Sequence, residues 1–184
     1  PSTEDILHAI EKTPAEIVFV LPNNKNIIMA AQAAAELASR EVVVIPTKTI
    51  PQGISAMLAV DPEAEQDSEL ALAMLDAAKH VRSGQVTYAA RDSEFDGKKI
   101  KQGEYLSLCE GKLCANGKET SVLKKLAREM VSDDSAFATV IFGEGVTEEQ
   151  AAEVENLLHK ENKEMEINVI NGGQPVYYYI ISVE

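Results

Sequence analysis

Apolar residues return at helical spacing through residues 3–13, where Ile6, Leu7 and Ile10 share one face and Thr3 is placed to cap it. Residues 16–21 then read as a short apolar strand. The polar turn Pro22-Asn23-Asn24-Lys25-Asn26 opens an Ala-rich helix over about residues 26–39. Residues 42–45, three valines and an isoleucine, predict a second buried strand that stops at Pro46. The loop of residues 47–53 leads into a helix at about 54–60. All-apolar strands alternating with helices point to a parallel α/β unit, because parallel strands are covered on both faces.

Residues 61–67 form an acidic linker, and residues 68–82 an amphipathic helix through Leu70, Leu72, Leu75, Ala78 and Val81. The texture changes from Gln85. Residues 85–90 read as a strand, and Ile100, residues 105–108 and residues 112–115 as short antiparallel strands. The turns Asp96-Gly97, Gln102-Gly103 and Glu110-Gly111 join them. A helix at about 119–131, a strand at 137–142 and a helix at 148–160 follow, the last opened by a capping box of Thr147 and Gln150. Strands at 166–170 and 176–183 close the chain. In the run Tyr177-Tyr178-Tyr179 the outer two rings are expected on one face of that strand and Tyr178 on the other. The pattern predicts two α/β lobes, residues 1–83 and 84–184. The first is parallel and the second carries a mixed or antiparallel sheet, with no internal repeat.

Composition adds limits. A chain of 184 residues can bury such a core, and 45% hydrophobic with 26% charged residues is ordinary for a folded protein. No apolar run reaches about 18 residues, so no membrane span is expected. The start Pro1-Ser2-Thr3-Glu4 has neither Met nor an apolar signal region, and a preceding segment is expected. Thirty acidic residues against 17 basic ones leave a net charge of −13. Such a surface repels nucleic acid and anionic membrane, and suits a basic protein partner. Two cysteines, Cys109 and Cys114, flank the turn at Glu110-Gly111 and fit free thiols of a reducing cytoplasm.

Two loops carry the candidate chemistry. Asn23, Asn24 and Lys25 stand between a strand's C-terminal end and a helix start, where open parallel sheets bind ligands and free N–H groups attract anions. The plainer alternative is that the asparagines cap the helix and fill a turn. Thr47, Lys48 and Thr49, with Gln52 and Gly53, follow the second strand and could line the same crevice. The competing account is a solvated surface loop. One right-handed crossover joins the two strands, so Asn23, Lys25 and Thr47 are expected near one another. No GxGxxG or Walker pattern points to a nucleotide. His8, His80 and His159 fall in separate helices, and the spacing of Cys109 and Cys114 without a second pair makes a poor zinc motif. Ser107 and Ser121 lack a nucleophile elbow. Asp133-Asp134 and Glu148-Glu149 read as solvated charge at helix ends. Gly143-Glu144-Gly145 precedes a helix and offers a modest anion site, and Gly172-Gly173-Gln174 reads as a loop. The residues therefore favour binding over catalysis, with no catalytic, metal or cofactor set.

Three segments carry a resemblance: residues 20–31 (VLPNNKNIIMAA), residues 42–57 (VVVIPTKTIPQGISAM) and the closing residues 173–184 (GQPVYYYIISVE). Together they resemble the C-terminal domain of the large subunit of bacterial fatty acid kinase, a protein also described by its dihydroxyacetone-kinase-like domain. The resemblance implies a two-lobed, DegV-like fold. It implies an N-terminal kinase domain outside these residues that binds ATP and magnesium, then a middle domain, and a partner subunit that is DegV-like and acyl-carrying. For the full-length protein, a homodimer is among the assemblies left open. In DegV-like proteins the first helix start carries Ser and Gly around the acyl carboxylate; here those positions hold Asn23, Asn24 and Lys25. The expectation is a cytoplasmic, non-catalytic docking domain that carries no fatty acid of its own. A lipid- or anion-binding module with its own crevice is the alternative, and a hydrolase or phosphatase is disfavoured for want of a nucleophile–base pair.

Overall fold

Ser2, rather than Thr3, opens the first helix. Its hydroxyl accepts from Asp5 N–H at 3.1 Å while the Asp5 carboxylate accepts from Ser2 N–H at 2.8 Å, a closed capping box. The computed structural model describes residues 1–64, 66–95 and 97–184. Glu65 of the acidic linker and Asp96 of the Asp96-Gly97 turn therefore lie outside the described residues. The chain divides into two units, Pro1–Val81 and Arg82–Glu184.

The first unit contains α1 (Thr3–Lys12), β1 (Ile17–Val20), α2 (Ile28–Leu37), β2 (Glu41–Val44), α3 (Ile50–Leu58) and α4 (Asp67–Lys79). The strands pair in parallel, Val18 opposite Val42 and Phe19 opposite Val43. Alternation along a strand sends neighbours to opposite faces. Val18, Val20 and Val42 pack with Ile10 of α1 and Ala34 of α2, while Phe19, Leu21 and Val43 pack with Ala56 of α3 and Met74 of α4. Helices thus cover both faces. Val18 is the one buried residue of β1, and β2 has none, although both read as buried strands; a sheet of two strands leaves an edge open on each.

Helix starts differ from the expected ones. α3 begins at Ile50, not 54. Thr49 has extended dihedrals, its hydroxyl accepts from Gln52 N–H at 3.3 Å, and Pro51 fits the first turn, where its missing N–H costs nothing. Gln52 and Gly53 are therefore helical. α2 begins at Ile28 without a side-chain cap; Asn24 Oδ1 accepts from Asn26 N–H at 2.9 Å in a turn two residues earlier.

The second unit contains β3 (Arg82–Tyr88), β4 (Ser93–Phe95), β5 (Lys98–Ile100), β6 (Tyr105–Cys109), β7 (Lys112–Gly117), α5 (Glu119–Met130), β8 (Phe137–Phe142), α6 (Glu148–Glu161), β9 (Glu166–Asn171) and β10 (Tyr179–Val183). Six strands form one sheet in the order β7-β6-β3-β10-β8-β9, and β4 with β5 makes a small separate hairpin. Within that sheet, among the described residues, only the β8–β9 pairing is parallel, and α6 is its crossover. Leu126 and Met130 of α5 and Val154 and Leu158 of α6 pack over Val86, Val140 and Ile181 in a shared core. Glu110 and Gly111 both take positive φ, 50° and 73°, which matches the two-residue turn between β6 and β7 to the twist of its strands.

The closing strand starts later than its apolar run implies. Val176 has a φ of 73° and is exposed, and its carbonyl accepts from the Thr87 hydroxyl at 2.7 Å. Gln174 Nε2 donates to the carbonyls of Ile141 and Tyr177 and so holds residues 174–177 as a loop. Tyr177 therefore precedes the strand and shares no strand face with Tyr179. Tyr179 is fully buried, and Tyr178 stacks on Tyr105 with ring centroids 5.0 Å apart.

Candidate functional site

β1 and β2 end side by side, the Val20 carbonyl accepting from Ile45 N–H at 2.9 Å, so the loops that follow them meet. Asn23 adopts a φ of 54°, a left-handed conformation that Asn tolerates better than most residues. In that pose its N–H donates to Thr47 Oγ1 at 3.1 Å, and the Thr47 hydroxyl donates back to Asn23 Oδ1 at 2.8 Å. Thr47 is 1% exposed. The Asn23 side chain lies directly over the backbone of Gly53, where an added Cβ would stand 2.1 Å from Oδ1.

Among the residues singled out from sequence, the structure joins Asn23 to Thr47 and buries Thr49 as the cap of α3. Asn24 commits its side chain to the turn to Asn26. Lys25 and Lys48 are exposed, and Lys48 N–H is held by Gln52 Oε1 at 2.8 Å. Two of the donors that would greet an anion at these strand ends, the Asn23 N–H and the Thr47 hydroxyl, are thus taken up by each other's residue.

Beside this pair runs an apolar crevice of about 320 Å³, lined by Leu21, Ile50, Ile54, Met57 and Leu58 together with Asn23 and Gly53. Ile50, Ile54, Met57 and Leu58 form an exposed stripe on α3. Sequence reading misses the stripe because it places the helix start four residues late. With Ile50 in the helix, the i, i+4, i+7, i+8 spacing is visible.

Elsewhere the chemistry-bearing side chains are dispersed. His80 Nδ1 lies 2.8 Å from the Asp76 carbonyl oxygen at the end of α4, and His159 Nε2 lies 3.1 Å from that of Met165. Glu144 N–H is taken by the Gln174 carbonyl at 3.0 Å, and Thr147 with Gln150 caps α6, which uses the donors that an anion at Gly143-Glu144-Gly145 would need. Burial pushes the Cys109 thiol up to about 11, with Glu110 adding to the shift. No group of three or more His, Cys, Asp or Glu side chains among the described residues is placed to hold a metal ion. No helix among them is long and apolar enough to cross a membrane.

A family model for the FakA-like C-terminal domain of fatty acid kinase matches residues 1–184. Protein YloV of Bacillus subtilis (strain 168) is 43% identical over 185 residues, covering all of this chain and 33% of its own length. A Staphylococcus aureus (strain USA300) protein is 40% identical over the same span, which covers 34% of it. The chain thus spans about a third of the length of the curated relatives it matches. Among solved structures, the whole chain superposes on 76% of the Streptococcus pneumoniae fatty acid kinase B3 protein loaded with linoleic acid, with a TM-score of 0.73 and 12% identity. It also superposes on 80% of the DegV family protein Cg2579 from Corynebacterium glutamicum, with a TM-score of 0.69 and 15% identity. The fold is DegV-like.

Proposed function

The chain belongs to the family of FakA-like C-terminal domains of fatty acid kinase, and on that premise we propose that it is a non-catalytic docking domain. It holds a DegV-like, acyl-carrying partner. An N-terminal domain outside these residues, supplied with ATP and magnesium, then phosphorylates the carboxylate of the fatty acid. The complex works in the cytoplasm and needs no cofactor, nucleic acid or membrane within residues 1–184.

One observation carries the reading. The domain has the fold of acyl carriers, yet the Asn23 N–H and the Thr47 hydroxyl, donors at the ends of β1 and β2, are engaged with each other's residue: Asn23 N–H and Oδ1 both bond Thr47 Oγ1. An ionised carboxylate brought out of water without donors costs several kcal/mol. A carrier fold with that place filled is suited to meeting a carrier rather than being one. The acidic surface, net −13, favours a basic face on the partner.

A second reading is a lipid- or anion-binding module, favoured by the apolar crevice that Asn23 borders. Calorimetric titration with the acyl-loaded DegV-like protein, together with native mass spectrometry in oleate, separates the two. Docking expects a saturable complex with the partner and no stoichiometric oleate adduct. No heat with the partner refutes docking. An oleate adduct weakened by Lys25→Ala establishes the second reading instead.

A further inference from the structure

The β6–β7 hairpin carries both cysteines of the chain, and both are free thiols. Cys109 ends β6 and stands opposite Lys112 of β7. Cys114 falls between the pairs Leu108–Leu113 and Ser107–Ala115, so it is the extra residue of the bulge there. Bulges re-aim side chains and recur beside functional sites. Here Cys109 and Cys114 come to one face. Both are half-buried against the core under α5, and both line one cavity of about 410 Å³. On the same face Ser107 is fully buried, and its hydroxyl has no hydrogen-bond partner among the described residues. Glu110 and Glu129 add carboxylates to the cavity wall. Arg82 reaches it too, but its Nη1 donates to the carbonyls of Glu129 and Met130 at 3.0 and 3.3 Å.

We propose that Cys109 and Cys114 form a two-coordinate site for copper(I), apart from the docking role. The spacing selects an ion over a disulfide. Diagonal neighbours across an antiparallel pair stand about 7–8 Å apart, with their Cβ atoms somewhat closer. A disulfide needs Cβ atoms about 3.5–4.5 Å apart, too short for that span. An ion between the sulfurs adds two metal–sulfur bonds of about 2.3 Å each and fills it. The number of ligands then selects the ion. Structural zinc takes four, and no group of three or more His, Cys, Asp or Glu side chains among the described residues is placed to hold a metal. Two thiolates suffice for a soft monovalent cation, and thiolates select copper(I). Glu110 and Glu129 favour positive charge in the cavity without binding it. Binding breaks two S–H bonds, passes both protons to solvent and forms two copper–sulfur bonds. The copper enters as copper(I), so no electron moves. The buried Ser107 hydroxyl then supplies a hydrogen bond to a bound thiolate.

Anaerobic titration of the 184-residue chain with copper(I) held by bicinchoninate tests this. The chain is expected to withdraw one copper, and X-ray absorption of the product to show two sulfur neighbours with no nitrogen or oxygen. Cys109→Ser and Cys114→Ser should each leave the copper with bicinchoninate, while the near-ultraviolet circular dichroism of the tyrosines shows that each variant is folded. Copper that stays with bicinchoninate in the presence of the native chain overturns the proposal. So does one copper shared between two chains, a third ligand in the absorption spectrum, or a serine variant that binds as tightly as the native chain.

Discussion

Asn23 bolts two loops together, and Gly53 is the hole the bolt passes through. Glycine inside a helix costs about 0.5–1 kcal/mol relative to alanine. Gly53 lies in the interior of α3, and the Asn23 side chain above it leaves no room for a Cβ. Gly53→Ala is expected to destabilise the chain by about 1–3 kcal/mol, because Asn23 must leave Thr47 to make space. With Asn23→Gly already in place, the same change should stabilise by about 0.5–1 kcal/mol through helix propensity. Denaturant midpoints of the four proteins give the cycle; equal effects of Gly53→Ala in both backgrounds would refute the bolt. The loops themselves are legible in the sequence, since strands joined by one right-handed crossover end on the same side. The bond between Asn23 and Thr47 is not, because it depends on the left-handed backbone at Asn23, which no local pattern announces. Lys25 and Lys48 look equally promising in sequence, yet their side chains point to solvent.

Among the elements, α3 and the β6–β7 hairpin show where local signals succeed and fail. Thr49-Ile50-Pro51 is a cap followed by proline in the first turn, a clear start signal, but the apolar-polar mixture of residues 47–53 reads as a loop. The error hides the exposed stripe of Ile50, Ile54 and Met57. The hairpin turn at Glu110-Gly111 is correctly legible from its glycine, whereas the bulge between Ser107 and Leu108 arises from pairing and leaves no sequence mark. That hairpin sets the chemistry of Cys109, which packs against the core under α5. An ordinary thiol ionises near about 8.5. Burial holds Cys109 at about 11, so its thiolate is scarce at neutral pH and grows as pH rises toward that value. Iodoacetamide should therefore label Cys109 at pH 8 at least about tenfold more slowly than a free cysteine peptide. Peptide mass spectrometry reads the rate, and labelling as fast as the peptide would show the thiol to be open to solvent.

For the whole molecule, the class of fold follows from periodicity alone: unbroken apolar strands between helices in the first unit, short strands with glycine turns in the second. The order of the six-stranded sheet does not. β10, last in the chain, lies between β3 and β8, held by antiparallel ladders on both edges with Tyr179 and Ile181 in the core, a long-range placement that no neighbouring residue announces. The same arrangement has a spectroscopic consequence. The chain has no tryptophan, and its five tyrosines are Tyr88, Tyr105, Tyr177, Tyr178 and Tyr179, all in the second unit. Tyr178 stacks on Tyr105 and tilts 51° to Tyr88, a rigid ring cluster that generates near-ultraviolet circular dichroism. A thermal melt followed by that band is expected to report residues 82–184 alone, while the far-ultraviolet signal sums both units. Asn23→Gly should then shift the far-ultraviolet curve and leave the aromatic band in place; an equal shift in both would mean that the two units melt as one. The protein thus carries its own label on one half, and the silent half holds the candidate site.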